Sequence, residues 1–463
     1  MEAALAFTPV HRLAELIAAN KLDPVELLEM YLSRIERYDR ALHSYVSVMT
    51  DSARDLAKAS AMAVRSGSPL GLLHGVPIAV KDLCDIEGLT TGAGSQRFSR
   101  LARKSTSTST VVQRLRSSGA IILGKTHMTE FAFGAWGTNG VNGTPRNPWD
   151  TRQHRVPGGS SSGSGVAVAA GLAPAAIGSD TGGSVRIPAS FCGIVGLKTT
   201  HGRVSTRGVV PLSRNLDTIG PLTRCVEDAV LLLRVLADDY ASDGRPFDDQ
   251  GFRQDIEGLR LGAPTNEQLG EISPSVASGF DAVCDVFRRL GARVDRIAFP
   301  DAYSGSSAEM QTIISAEGYA ANSSVVEGGG PALDPNVLTR LLRGKEAPAA
   351  LYISARERQA YHRVQFARFL GDFSALLMPT TPIAALPLGD VDEQSPAPSR
   401  LTRPVNYLGL CALALPIGLD PQGMPLSIQI IGGPNQEERI LRVGRAYENA
   451  ASGLPRPDLD SLG

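Results

Sequence analysis

Helix-periodic segments and short apolar strands alternate along this chain, and that alternation limits its fold more than any other feature. Asp23-Pro24-Val25-Glu26 has the form of a helix start, with Asp as cap, Pro in the first turn and Glu three residues after the cap. Leu27, Leu28, Tyr31, Leu32 and Ile35 follow at helical spacing. Val76, Ile78 and Val80 alternate like a strand. Residues 110–118 read as a helix closed by Gly119, with a strand at 120–123. Ser273-Pro274 opens another helix, carrying Val276, Phe280, Val283, Phe287 and Leu290; Gly291 closes it and a strand at 293–299 follows. Residues 376–378 and 426–431 are further strand candidates. The pattern predicts an α/β fold whose central sheet is covered by helices on both faces. The polar, Asp-rich stretch 238–255 reads as a surface linker between two lobes.

Composition narrows the function. The chain has 463 residues, 43% apolar and 20% charged, with a net charge of -1. That excludes wholesale disorder, and no basic stripe offers a nucleic-acid surface. Five scattered cysteines form no CxxC, so a reducing, cytoplasmic setting is expected. The N-terminus shows no signal-peptide pattern. The longest stretch free of polar side chains, residues 166–178, is broken by Gly171 and Pro174 and is too short to span a bilayer. It reads as a buried helix and the loop after it.

Several motif matches fail on context. GAIILGKT at 119–126 fits the phosphate-loop pattern, but its middle residues Ala-Ile-Ile-Leu read as a strand and a helix precedes them. GSSSG at 159–163 fits a nucleophile elbow around Ser161, but that motif needs a strand before it, and residues 151–157 are polar and end in Pro. None of the seven lysines has Ser three residues before it. The histidines form no HExxH, and His127 with Glu130 lacks a third ligand. No metal and no cofactor are expected.

Three segments remain: HGVPIAVKD at 74–82, PGGSSSGSG at 157–165 and GSDTGGSVRIPAS at 178–190. Gly and Ser crowd residues 158–208, which suits backbone that approaches a ligand closely. With the flanking GAIILGKTHMTEFAFG, FCGIVGLKTTHGRVSTRGVVP and DTIGPLTR, these segments resemble the amidase signature family from about residue 72 to 223. The resemblance implies one α/β domain around a large mixed sheet. Within a single unit of 1–463 it suggests N-terminal helices at 1–65, a signature core at 66–230 and a second half at 231–463. The helical stretch 306–368 in that second half is the part expected to shape the substrate site. By residue, the resemblance implies Lys81 as base, Ser160 as a cis-serine relay and Ser184 as nucleophile. It assigns the N–H groups of Thr181, Gly182 and Gly183 to an oxyanion hole. Phe131, Phe133 and Trp136 match a motif near the substrate channel.

The chemistry supports those residue types. A serine hydroxyl is a weak nucleophile and needs a base beside it. Lysine serves only when neutral, and burial can lower its ordinary pKa of ~10.4 by a few units. Lys81 ends an apolar run, and Asp82 on a strand would point to the opposite face. Arg186, Asp180 and Asp217 read as an ion-pair or capping network behind the site, and Cys192 as core.

The expected function is hydrolysis of a small apolar or aryl amide through an acyl-enzyme, with carbamates (urethanes) or esters open to the same route. The expected partner is that small molecule, with no nucleic acid or membrane, and the expected state is monomer or homodimer. The alternative is the glutamine-hydrolysing subunit of a tRNA-dependent amidotransferase. Such subunits commonly carry Gln where this chain has Ile187, and an apolar residue there favours a less polar substrate. A nucleotide-binding protein built on GAIILGKT is the reading from a different class.

Overall fold

The computed structural model describes residues 2–237 and 249–462. Eleven strands form one mixed sheet in the order β1-β3-β2-β4-β6-β5-β10-β11-β9-β7-β8. They are β1 (Tyr45–Val48), β2 (Pro77–Lys81), β3 (Ile121–Thr126), β4 (Ala176–Asp180), β5 (Val195–Lys198), β6 (Thr218–Thr223), β7 (Arg260–Pro264), β8 (Arg293–Ile297), β9 (Ala375–Pro379), β10 (Cys411–Leu419) and β11 (Pro425–Gly432). β2 runs parallel to both β3 and β4, while β4 pairs antiparallel with β6. Every residue of β2, β3, β4, β9 and β11 is buried. A strand buried at every position needs cover above and below, so the sheet is a middle layer.

Local chemistry explains several boundaries. The Asp23 carboxylate accepts the Val25 N–H at 2.7 Å and starts helix Pro24–Leu42. Ser273 caps helix Pro274–Arg289 in the same way. Helix Thr110–Ser117 ends before Gly119, whose φ of 83° a Cβ would oppose, and β3 follows directly.

Two expectations need correction, and several strands come in addition. Residues 166–178 are not helix and loop alone, because Gly171 and Pro174 stop helix Ser162–Ala169 and Ala176–Gly178 then enter β4 beside β2. The strands β1, β5, β6, β7 and β10 lie outside the strand candidates of the sequence, and β1 pairs antiparallel with β3. The halves are not separate lobes with separate sheets: β5 pairs with β10 through Ala412↔Lys198 and its neighbours. Of the expected linker, residues 238–248 lie outside the described residues, and Asp249–Arg253 is helical.

The stretch 306–368 is three helices, Ser307–Val326, Pro335–Lys345 and Ala349–Leu370, packed on one another. Among the described residues no helix is long and apolar enough to cross a membrane.

Candidate active site

Lys81 is the last residue of β2 and is fully buried. Its Nζ donates to Ser160 Oγ and to Ser179 Oγ, each at 2.8 Å. Burial lowers this amine from 10.5 to about 7, opposed by the charges of Asp217 and Asp180. The neighbouring Cys84 thiol does not oppose it at neutral pH, since burial pushes that thiol up to about 12 and leaves it uncharged. Asp82 has gone to the other face, where Lys125 Nζ lies 3.0 Å from its carboxylate and the Gly92 N–H donates to it. Lys125 also donates to Thr91 Oγ1 at 2.9 Å. The lysine of GAIILGKT is thus a strand residue paired with a buried acid, which removes the phosphate-loop geometry.

The Gly159–Ser160 peptide is cis, and Ser160 Oγ faces Lys81. Ser161 is turned the other way. Its Oγ donates to the Ser179 carbonyl at 3.3 Å and its N–H donates to the Ser184 carbonyl at 3.2 Å. It is fully buried, and no strand leads directly into it among the described residues. Ser161 therefore lacks the exposed hydroxyl of a nucleophile elbow.

Ser184 follows the turn at the end of β4 and is 7% exposed at the wall of a cavity. Asp180 organises that turn. It accepts the Gly183 N–H at 2.7 Å, Arg186 Nε at 3.0 Å and Asn406 Nδ2 at 2.9 Å. Burial alone would raise the Asp180 carboxyl, but the Arg186 guanidinium overrides it and holds it well below the usual carboxylate range. Arg186 also reaches Gln429 and Asn406. Asp217 takes a different part: it accepts the Thr181 hydroxyl at 2.6 Å, and burial pushes its carboxyl up to about 6. The Gly183 N–H is already engaged by Asp180. Among the described residues, the Thr181 and Gly182 N–H groups have no protein acceptor. Gly183 has φ 128°, and a Cβ there would collide with Thr402.

The cavity beside Ser184 measures ≈ 270 Å³. Phe133, Trp136, Ile187, Leu212 and Ile314 form its apolar wall. Phe131 is not on that wall. At φ 50° it turns inward, 2% exposed, and packs edge-on against Phe98 with ring centroids 5.9 Å apart. The remaining wall is polar and includes Gln311, Arg340, Arg343, Glu393 and Arg403. Arg340 pairs with Glu393 at 2.9 Å and donates to the Phe133 carbonyl at 2.8 Å. Ile187 pointed to a less polar substrate, and the three arginines depart from that expectation.

The family model for Amidase matches residues 26–441. The chain belongs to the amidase family. This amidase is 35% identical to a glutamyl-tRNA(Gln) amidotransferase subunit of Syntrophobacter fumaroxidans, covering 97% of this chain and 98% of the relative. It is 37% identical to "2-amino-5-chloromuconic acid deaminase" of Comamonas testosteroni, with 93% of each covered. A solved peptide amidase from Stenotrophomonas maltophilia matches with TM-score 0.83 and 28% identity, over 98% of this chain and 99% of that one. The amidase is accordingly a hydrolase of amide C–N bonds on a single α/β domain.

Two side chains of this amidase went unread in the sequence. Ser179 is a second hydroxyl on Lys81; the parallel pairing Val80↔Ile177 brings it there, and no local spacing announces it. Arg403 reaches the cavity from a short helix far along the chain. His11, Cys225 and Asp228 are the one group of possible metal ligands among the described residues. Their geometry is that of a helix cap: Asp228 accepts the N–H groups of Val10 and His11 and pairs with the His11 ring at 2.7 Å. Burial also pushes the Cys225 thiol far up, away from the thiolate a metal needs. Burial lowers His127 to about 4, where it stays neutral, and Glu130 accepts the Asp334 N–H.

Proposed function

We propose that the protein hydrolyses a small amide through an acyl-enzyme, with Ser184 as nucleophile, Ser160 as proton relay and Lys81 as base. The observation that carries this reading is the bond from a buried Lys81 Nζ to Ser160 Oγ, with the adjacent carboxylate of Asp82 spent on Lys125. A neutral amine can take the Ser160 proton as Ser160 takes that of Ser184. Ser184 Oγ then adds to the carbonyl carbon. The N–H groups of Thr181 and Gly182 receive the developing oxyanion, while Gly183 supplies the bend and its Asp180 anchor holds the turn. Ser160 returns the proton to the departing amine, and water releases the acyl group by the same relay. Carbamates and esters fit the same route. The helices spanning 306–368 shape the substrate side. Five unbridged cysteines support a reducing, cytoplasmic setting.

The test is labelling with a fluorophosphonate together with rates on aryl amides, aliphatic amides, carbamates and esters. Label on Ser184 and loss of all turnover in Ser184→Ala are expected; label on any other serine ends this reading. A second reading, a glutamine-hydrolysing amidotransferase component, is favoured by the 35% identity to the Syntrophobacter relative. Ammonia release from glutamine, faster than from simple amides, would select it.

A further inference from the structure

Arg403 stands where two cavities meet. It lines the ≈ 270 Å³ cavity of Ser184 and an adjoining one of ≈ 280 Å³ whose walls include Phe299, Tyr303, Met310 and Leu401. Its stem lies over the turn that carries the nucleophile: a Cβ placed on Gly182 would sit 3.4 Å from Arg403 Cγ. No carboxylate or carbonyl pairs with its guanidinium among the described residues. The nearest influence is another cation, Arg340, and burial with that neighbour lowers Arg403 to about 10. The neighbouring arginines have partners: the buried Arg186 holds Asp180, and the half-buried Arg340 holds Glu393.

Arg403 is half-buried in the wall between the two cavities, and a guanidinium partly withdrawn from water without a counter-charge is costly, so a purely structural residue here would be better apolar. A snorkelling arginine would extend over the outer surface to bulk water, whereas this one lines two partly apolar chambers. The missing partner is an anion that arrives with the substrate. A guanidinium fork matches a carboxylate in plane and spacing, and the small chamber admits a short chain.

We propose that the substrate is a small amide that also carries a carboxylate, and that Arg403 is the residue that binds that carboxylate. This rests on Ser184 being the reacting residue only for the position of the amide; the anion subsite stands on Arg403 and the cavities. It also replaces the apolar substrate expected from Ile187 with an amphipathic one: apolar wall on one side, one anionic end on the other.

The test separates binding from chemistry. In Ser184→Ala, calorimetric titration compares succinamate, glutaramate and adipamate with their neutral diamides. N-acetylglycine against N-acetylglycinamide places the charge on the amine side instead. At least one anion should bind about tenfold tighter than its neutral twin, the size of one charge-assisted hydrogen bond to a half-buried cation. Arg403→Met, which keeps length and packing, should erase that ratio, and Arg403→Lys should restore part of it. In the otherwise unmodified protein the same ratio should appear in KM rather than kcat. Equal affinity for anion and neutral twin in every pair overturns the proposal. So does a ratio that Arg403→Met leaves intact, since a packing role would weaken both ligands together. If the anion preference holds while fluorophosphonate misses Ser184, the subsite stands and the hydrolytic reading falls.

Discussion

Lys81 and Lys125 sit on neighbouring parallel strands and meet opposite fates. Lys125 has Asp82 at 3.0 Å, while Lys81 has two hydroxyls. The proposed chemistry needs the neutral amine, so kcat/KM should rise with pH through a single ionisation near 7 and then level off. Lys81→Arg keeps the charge but cannot surrender it, and should retain under about a hundredth of the activity at neutral pH, within the range that general-base loss removes. A pH–rate profile of both proteins decides the point; a variant with a tenth of the activity sinks Lys81 as base. Stability carries the same signature. Unfolded, the amine has its ordinary value of 10.5, and folded it lies at about 7. The folded protein binds fewer protons between those values, so stability falls as pH drops from 10.5 towards 7, and below 7 the penalty is complete. Lys81→Met should therefore be more stable than the parent by on the order of a few kcal/mol at about pH 6, and that advantage should shrink towards about pH 10. Denaturant melts at the two pH values measure it.

Among the elements, the helices Ser307–Val326 and Pro335–Lys345 govern one side of the cavity. They approach closely at Gly344, where a Cβ would collide with the Ser315 carbonyl oxygen. Gly344→Val should push the second helix outward and loosen the Arg340 bond to the Phe133 carbonyl. The expected result is a KM raised about tenfold with Ser184 labelling kept, at a stability cost of ~1–3 kcal/mol from overpacking. Substrate titration and labelling rate check the two halves separately. The stretch 306–368 was legible as helical, although of these two helices only Pro335–Lys345 carries a clear apolar stripe. Lys81, Ser160 and Ser184 were legible as candidates because fixed spacing carried the resemblance, 24 residues from Ser160 to Ser184. Ser179 and Arg403 were not: one depends on strand register and the other on a chain reversal, and neither leaves a trace in a local window. Phe131 misled because three aromatics close in sequence suggested one wall. The positive φ values of Phe131 and Ala132 send the first ring into the core instead.

At the scale of the molecule, one sheet and one main apolar cluster join both halves of the chain. The pairing of β5 with β10 means that neither half owns a complete sheet. Thermal unfolding should therefore show one calorimetric transition, with van't Hoff and calorimetric enthalpies in agreement. Two resolved transitions would mean that the halves melt separately. A fragment ending before residue 238 would expose the edge of β5 and should aggregate.

The cavity beside Ser184 has a mixed parentage. Ser184 and Gly182 belong to the same stretch as Lys81 and Ser160, but Ile314, Arg340, Glu393 and Arg403 come from the other half. Inheritance can act on the two groups at different speeds. A lineage that guards the first stretch would keep the proposed chemistry, while changes at 307–314, 340–343 and 393–403 would recut the space that a guest must fit.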